Sequence, residues 1–275
     1  MEKDIANFIS EQENEINRLK MNIINWYNFK NAESILVCGN FNKNIISYLS
    51  EKFEKVFVQV EDIKKIYELN EIKTKANNIK IIDSAIDNLE VNEKFDYIFM
   101  LEYLEENKAD DELKSIIFSK ADCLKDSGKF LFVSKNKFGA KEILSKTYNG
   151  FSKERINNLF FECGFKYFNY FYLLPNIANV NVIFSDQYLP TKNDIRRNIN
   201  LSFELNDLGI KENEYYNAIL KNENADFKNS ANAFFIEISK QEIDNSIKAV
   251  YYNNLRPKEY RLKTTIYEKY VEKEC

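Results

Sequence analysis

Between Ser34 and Glu61 the chain runs from a short apolar strand through a helix-length segment into a second apolar strand. That order confines this part of the molecule to an α/β fold with parallel strands. Ser34-Ile-Leu-Val-Cys-Gly39 ends in glycine, Asn44 to Lys52 reads as a helix, and Lys55 to Val60 is a strand closed by Glu61 and Asp62. Two parallel strands joined in this way bring a tight turn and a carboxylate to the same edge of a sheet, the arrangement that holds a ribose and the rest of a nucleoside. The turn reads Gly39-Asn-Phe-Asn-Lys43 and so keeps a single glycine.

The alternation continues. Ser34 to Cys38, Val56 to Val60, Lys80 to Ile82, Tyr97 to Leu101 and Lys129 to Ser134 are short apolar runs separated by helix-length segments, which predicts a mostly parallel sheet with helices on both faces. Asp122 to Gly128 reads as a helix end stopped by a left-handed glycine. Ser152 is placed to cap a helix running to Cys163-Gly164-Phe165. Tyr167 to Leu173 and Asn181 to Phe184 are expected as the last two strands, with closure near Pro190. Before the sheet, apolar residues from Ile5 to Phe29 recur at roughly helical spacing, as in a lead-in helix or two packed on the sheet edge. After Pro190, a polar helix-prone stretch from Lys192 to Asn224 precedes strand-like runs at Ala233 to Ile238, Ile247 to Tyr252 and Tyr260 to Tyr267. These suggest a small antiparallel sheet, either separate or folded back on the first. The expected division is a helical lead-in over residues 1–32, a Rossmann-like domain over 33–190 and a carboxy-terminal α+β extension over 191–275.

Composition removes several functions. Charged residues make up 30% of the 275 but nearly balance at a net charge of -4, so no basic field argues for nucleic acid. No apolar run approaches the roughly 20 residues that span a bilayer, and the acidic, polar start is unlike a signal peptide; the expectation is a cytoplasmic chain without a membrane span. The 4 cysteines Cys38, Cys123, Cys163 and Cys275 have no paired spacing, which argues against a disulfide framework or a metal site. Histidine is absent, so His-based triads and His metal ligands are excluded and any proton transfer falls to carboxylate, Tyr, Lys, Cys or water.

From about Ile35 to Pro190 the chain resembles class I S-adenosylmethionine-dependent methyltransferases, and more narrowly those that accompany bacterial cell-surface glycan assembly. Phe95-Asp96-Tyr97-Ile98 through Leu101-Glu102-Tyr103 resembles the fourth strand and its exit, and Leu124-Lys-Asp-Ser-Gly-Lys-Phe-Leu131 the loop and fifth strand. Asn136-Lys137-Phe138-Gly139, Phe151-Ser152-Lys153 and Phe184-Ser185-Asp186-Gln-Tyr188-Leu189-Pro190 are more specific matches, since generic methyltransferases need none of them. Asn232-Ala-Phe-Phe-Ile-Glu237 and Arg261-Leu-Lys-Thr264 resemble the segment that trails this group.

The resemblance implies S-adenosylmethionine as cofactor, with Gly39, Phe41, Glu61, Ser84, Asp87 and Leu101 around it. Glu61 fits the second-strand acid that accepts both ribose hydroxyls. The small-then-acid pair beside the adenine falls near Ser84 and Ala85, so Asp83 or Asp87 would substitute. Glu102 and Tyr103 stand where the fourth strand opens toward an acceptor; Glu102 would act as a base or orient a hydroxyl or amine and Tyr103 would stack or hydrogen-bond, or both simply begin the next helix. The departures concern the glycine loop: Val37 takes the place of the family's acid, and Phe41 and Lys43 the places of its second and third glycines. Side chains there crowd the methionine end of the cofactor. A longer insert that carries an acid and a histidine in the family is replaced by Ala140 to Gly150.

Two functions follow. One is methyl transfer to a hydroxyl or amine of a surface glycan or glycan precursor. The other is a catalytically inactive methyltransferase-like subunit that binds a protein partner in glycan assembly, with Phe41 filling the pocket. A dinucleotide-dependent dehydrogenase is disfavoured by the missing glycine fingerprint.

Overall fold

A computed structural model describes residues 18–30, 33–60, 62–74, 76–83, 93–191, 207–221, 227–244, 246–254, 256 and 258–274. Its first half follows the predicted alternation. Strand β1 (Ser34–Gly39) leads to helix α1 (Lys43–Lys52), then come β2 (Lys55–Val60), α2 (Ile63–Lys73), β3 (Ile79–Asp83), β4 (Phe95–Leu101), α3 (Asp110–Ala121) and β5 (Leu124–Lys135). β1 pairs in parallel with β2 and β4, and the parallel order β3-β2-β1-β4-β5 is that of a Rossmann-like sheet. Local chemistry starts each helix: Asn42 caps α1 by accepting from Ile45 N at 3.0 Å, Asp62 caps α2 by accepting from Lys64 N at 2.8 Å, and three acids open α3 against its dipole.

One expectation fails just before β5. Helix α3 ends at Ala121 with Asp122 still right-handed, and Gly128 lies inside the strand. Glycine is needed there for close packing, since an added Cβ would sit 2.8 Å from the Phe95 carbonyl oxygen.

Beyond β5 come α4 (Ala140–Ser145), α5 (Lys153–Glu162), β6 (Tyr167–Asn176), β7 (Asn179–Ser185), α6 (Asp207–Lys221), α7 (Phe227–Ser230), β8 (Ala233–Ser239), β9 (Ile247–Tyr252), β10 (Lys263–Tyr267) and β11 (Val271–Glu274). As predicted, Ser152 caps α5, accepting from Arg155 N at 3.2 Å. The strands after Pro190 do not form a sheet of their own. β8 inserts between β5 and β6, antiparallel to both, with Phe132 opposite Ile236 and Phe171 opposite Phe235. β7, β9, β10 and β11 then extend the same sheet in antiparallel fashion, giving 11 strands in the order β11-β10-β9-β7-β6-β8-β5-β4-β1-β2-β3.

Helices cover both faces. On one, Leu113, Ile116 and Ile117 of α3 and Ile156, Leu159 and Phe160 of α5 are buried with Phe95, Phe130 and Phe132. On the other, Ile45, Ile46 and Leu49 of α1 pack with Val37, Val58 and Phe99. The amino-terminal segment joins this second face rather than the sheet edge: after helical residues 18–21, Trp26 sets its ring against Phe171 and Phe235, with centroids 4.6 and 4.9 Å away. Residues 1–17 of the predicted lead-in lie outside the described residues. Tyr170, Phe171 and Tyr172 of β6 are core side chains, exposed by no more than 2%.

The motifs singled out as specific hold this topology together. Asn136 Nδ2 donates to the Asn229 and Ala231 carbonyls at 2.8 and 2.7 Å, while Gly139 lets the Asn232 backbone approach where a Cβ would meet it at 2.8 Å. Asn232 donates to Pro175 O at 2.7 Å and to buried Glu212, and it accepts from Lys141 N at 2.9 Å. At the other end of β8, buried Glu237 accepts from Lys129 Nζ and from Tyr27 Oη, each at 2.5 Å. Desolvation and that carboxylate raise the Tyr27 phenol well above its ordinary value. Tyr172 donates to Asp186 at 2.8 Å and accepts from Lys153 Nζ at 2.9 Å, joining the Phe-Ser-Lys and Phe-Ser-Asp motifs in one network.

Candidate functional site

In an open α/β sheet, ligands bind at the carboxyl ends of the parallel strands, and this chain has a pocket there. The end of β1 is fixed first. Gly39 has φ +99°, and a side chain on it would overlap the Leu101 carbonyl. Asn40 N donates to that same carbonyl at 2.7 Å, pinning the turn to β4. Phe41 N then donates to Gly39 O at 3.2 Å and Asn42 begins α1, so the turn is short and its direction is set by backbone alone.

Next to it the end of β4 is bent. Glu102 adopts φ +47°, an uncommon conformation for a side-chain-bearing residue, and donates its N–H to Val133 O at 2.9 Å. Backbone of this kind concentrates at functional sites. The Glu102 carboxylate faces Asn40 Nδ2 at 3.5 Å and Lys135 Nζ at 3.8 Å. Tyr103, only 9% exposed, turns inward so that its hydroxyl lies 3.5 Å from Gln59 Oε1.

The resulting cavity, about 210 Å³, is lined by Gly39, Gln59, Val60, Asp62, Lys65 and Tyr103 together with Phe41 and Glu102. A smaller one of about 110 Å³ is lined by Phe41, Leu101, Asn42, Ile23 and Ala178 among others. Both cavities share Phe41 and Glu102. Phe41 itself is 5% exposed, packed in the core cluster of α1, with Lys65 Nζ 5.2 Å from its ring centroid and 3.4 Å from Gly39 O. The residue therefore borders both spaces.

Among the residues expected at the site, the structure brings Gly39, Phe41, Leu101, Glu102 and Tyr103 together. Glu61, Ser84 and Asp87 lie outside the described residues. Three other residues were not anticipated. Gln59 and Lys65 line the larger cavity, and Lys120 of α3, fully buried, donates to Gln59 Oε1 at 2.7 Å with its Nζ 5.6 Å from the Tyr103 ring centroid. Cys38 Sγ completes the group at 3.5 Å from the same oxygen, and desolvation pushes its thiol up to about 12. Lys120 did leave a trace in the sequence, since with Leu113, Ile116 and Ile117 it continues the buried stripe of α3 at helical spacing. A lysine in such a stripe is held by polar partners.

Among the described residues no group of three or more His, Cys, Asp or Glu is placed to hold a metal ion, and no helix is long and apolar enough to cross a membrane. No family model and no curated protein matches the chain. Among solved structures it is similar to the N-methyltransferase NodS from Bradyrhizobium japonicum WM9 in complex with S-adenosyl-L-homocysteine, at a TM-score of 0.44 and 15% identity over 62% of this chain and 81% of that one. It is similar to a SAM-dependent methyltransferase from Methanosarcina mazei at a TM-score of 0.44 and 16% identity, over 55% of this chain and 89% of that one. It is also similar to the YcgJ protein from Bacillus subtilis at a TM-score of 0.44 and 10% identity, over 83% of this chain and 99% of that one.

Proposed function

We propose that this protein is an S-adenosylmethionine-dependent methyltransferase acting on a hydroxyl or amine of a surface glycan or glycan precursor. The observation that carries the reading is the pair of cavities at the carboxyl ends of β1, β2 and β4, which meet at Phe41 and Glu102. A group-transfer reaction needs two ligands brought side by side, and alignment supplies much of its acceleration.

The residues of the larger cavity fit the nucleoside half of the cofactor. Gly39 brings bare backbone to the turn, and Gln59 and Asp62 offer an amide and a carboxylate. Glu61, directly after Val60, is assigned to the ribose hydroxyls. Bound there, the cofactor supplies a methyl group on a positively charged sulfur. Glu102 stands at the junction, where a carboxylate orients an acceptor hydroxyl or amine and takes up its proton. The buried ring of Phe41 excludes water from the same point.

A second reading, the catalytically inactive subunit with a protein partner, is favoured by one observation. The larger cavity, at about 210 Å³ among the described residues, lies below the roughly 300 Å³ at which small-molecule sites begin, and the buried Phe41 is part of its lining.

Isothermal titration with S-adenosylmethionine and S-adenosylhomocysteine separates the two. Under the enzyme reading both bind in the micromolar range, about -8 kcal/mol, and Glu61→Ala abolishes binding. Phe41→Gly is expected to tighten S-adenosylhomocysteine about tenfold if the ring crowds the methionine end, a gain of about 1.4 kcal/mol. No heat from either ligand, for the native chain and for Phe41→Gly alike, would leave the inactive subunit as the reading.

A further inference from the structure

Helix α3 carries one residue that breaks its own pattern. Leu113, Ile116, Ile117, Lys120 and Ala121 form its buried stripe, and Lys120 within that stripe is 0% exposed. Packing on the sheet requires only an apolar side chain there, and taking an ammonium out of water is unfavourable unless polar groups receive it. Departures of this kind from a local rule gather at functional sites.

The ammonium reaches beneath the sheet to Gln59 of β2, whose Oε1 accepts from Lys120 Nζ at 2.7 Å. Val37 of β1 pairs with Val58 of β2, so Cys38 and Gln59 are neighbours one position further along the two strands. Leu36, Cys38 and Phe57 are buried with Leu113 and Ile117, on the face that α3 covers. Cys38 Sγ and the Tyr103 hydroxyl each lie 3.5 Å from the same Gln59 oxygen. Three groups thus converge on one atom, and two of the residues joined there, Gln59 and Tyr103, line the larger cavity.

This contact fixes which way the Gln59 amide points. An ammonium has donors and no acceptor, so only the amide oxygen can face it; the flipped amide would set an NH2 group against a cation. With Oε1 held by Lys120, Nε2 takes the other branch of the planar group. An apolar residue at position 120 would leave that choice to the longer contacts from Cys38 and Tyr103.

We propose that Lys120 is a positioning residue for the larger cavity, fixing Gln59 so that Nε2 presents a hydrogen-bond donor to an acceptor atom of the bound nucleoside. The inference rests on the methyltransferase reading of that cavity and adds to it a buried residue that acts on the ligand only through Gln59. Lys120 itself is not among the lining residues.

Calorimetry of the full-length chain with S-adenosylhomocysteine, and with adenosine, which lacks the amino-acid end, tests the role. Gln59→Glu keeps an oxygen for Lys120 and removes the amide donor. It is expected to retain the urea midpoint of the native chain and to bind both ligands about tenfold more weakly, as for one lost hydrogen bond. Lys120→Met removes the ammonium at similar length and is expected to weaken both ligands by about the same factor. The double variant Lys120→Met/Gln59→Met replaces both partners by apolar side chains and serves where a single variant does not fold. Its loss is expected to stay at about tenfold, because the two changes remove one and the same donor. Native affinity in Gln59→Glu, or a loss of about a hundredfold in the double variant, would overturn the positioning role and leave the methyltransferase reading in place. Failure of the native chain to bind either ligand would overturn both.

Discussion

Gly39 shows how one residue sets the floor of the candidate site. Its φ of +99° and the approach of the Leu101 carbonyl each exclude a side chain, and the turn they permit delivers Asn40 N to that carbonyl at 2.7 Å. Gly39→Ala is expected to cost about 3 kcal/mol, read from the urea midpoint, because strain in the backbone adds to the clash. Phe41 was legible in the sequence as a side chain where the resembling family keeps glycine. That it borders two cavities was not, because the second cavity is walled by Ile23 and Ala178 from distant parts of the chain. Gln59 and Lys65 were illegible for a related reason. Each is an ordinary polar residue on a strand or helix until tertiary packing turns it toward its partners.

At the scale of an element, β8 carries the most information. Its residues alternate between the two faces like any strand, and all seven are buried because helices and the amino-terminal segment cover both sides. What holds it is a set of polar groups at its ends, Asn232 before the first residue and Glu237 near the last. Replacing Asn232 by Ala removes the buried donor to Pro175 O and the acceptor for Lys141 N. The expected cost is about 3 kcal/mol, with amide exchange rising across β8 and β6 more than across β1 and β2. Equal exchange in all four strands would count against a local clasp. The work of Asn232 and Glu237 in this chain is to tie β8 to its surroundings.

For the whole molecule, the insertion of β8 decides what can fold alone. A fragment ending at Pro190 would leave β5 and β6 without the strand that pairs with both, exposing their inner edges. Residues 1–190 expressed alone are therefore expected to lack a cooperative thermal transition. A sharp transition would instead support a boundary at Pro190. Stability should also fall in alkali. Burial raises the Cys38 thiol from 9.0 to about 12, so the unfolded chain loses this proton at lower pH than the folded one. The contribution is full below pH 9 and declines between pH 9 and 12 by about 1.4 kcal/mol per pH unit. Urea unfolding of the native chain and Cys38→Ala across that range should show the shallower slope in the variant.

Seen at this scale, the sequence by itself determined the elements of the parallel half, the cap at Ser152, and the edge of the sheet where a ligand site would lie. Periodicity, capping and turn chemistry are local, and a few neighbouring residues encode them. The tertiary structure alone decided that Ala233–Ser239 enters the middle of the sheet, that the amino-terminal segment covers a face, and that Lys120 meets Gln59 beneath the site. Strand partners are chosen by competition among all available edges and faces, and residues as far apart in sequence as Phe132 and Ile236 carry no local sign that they will meet.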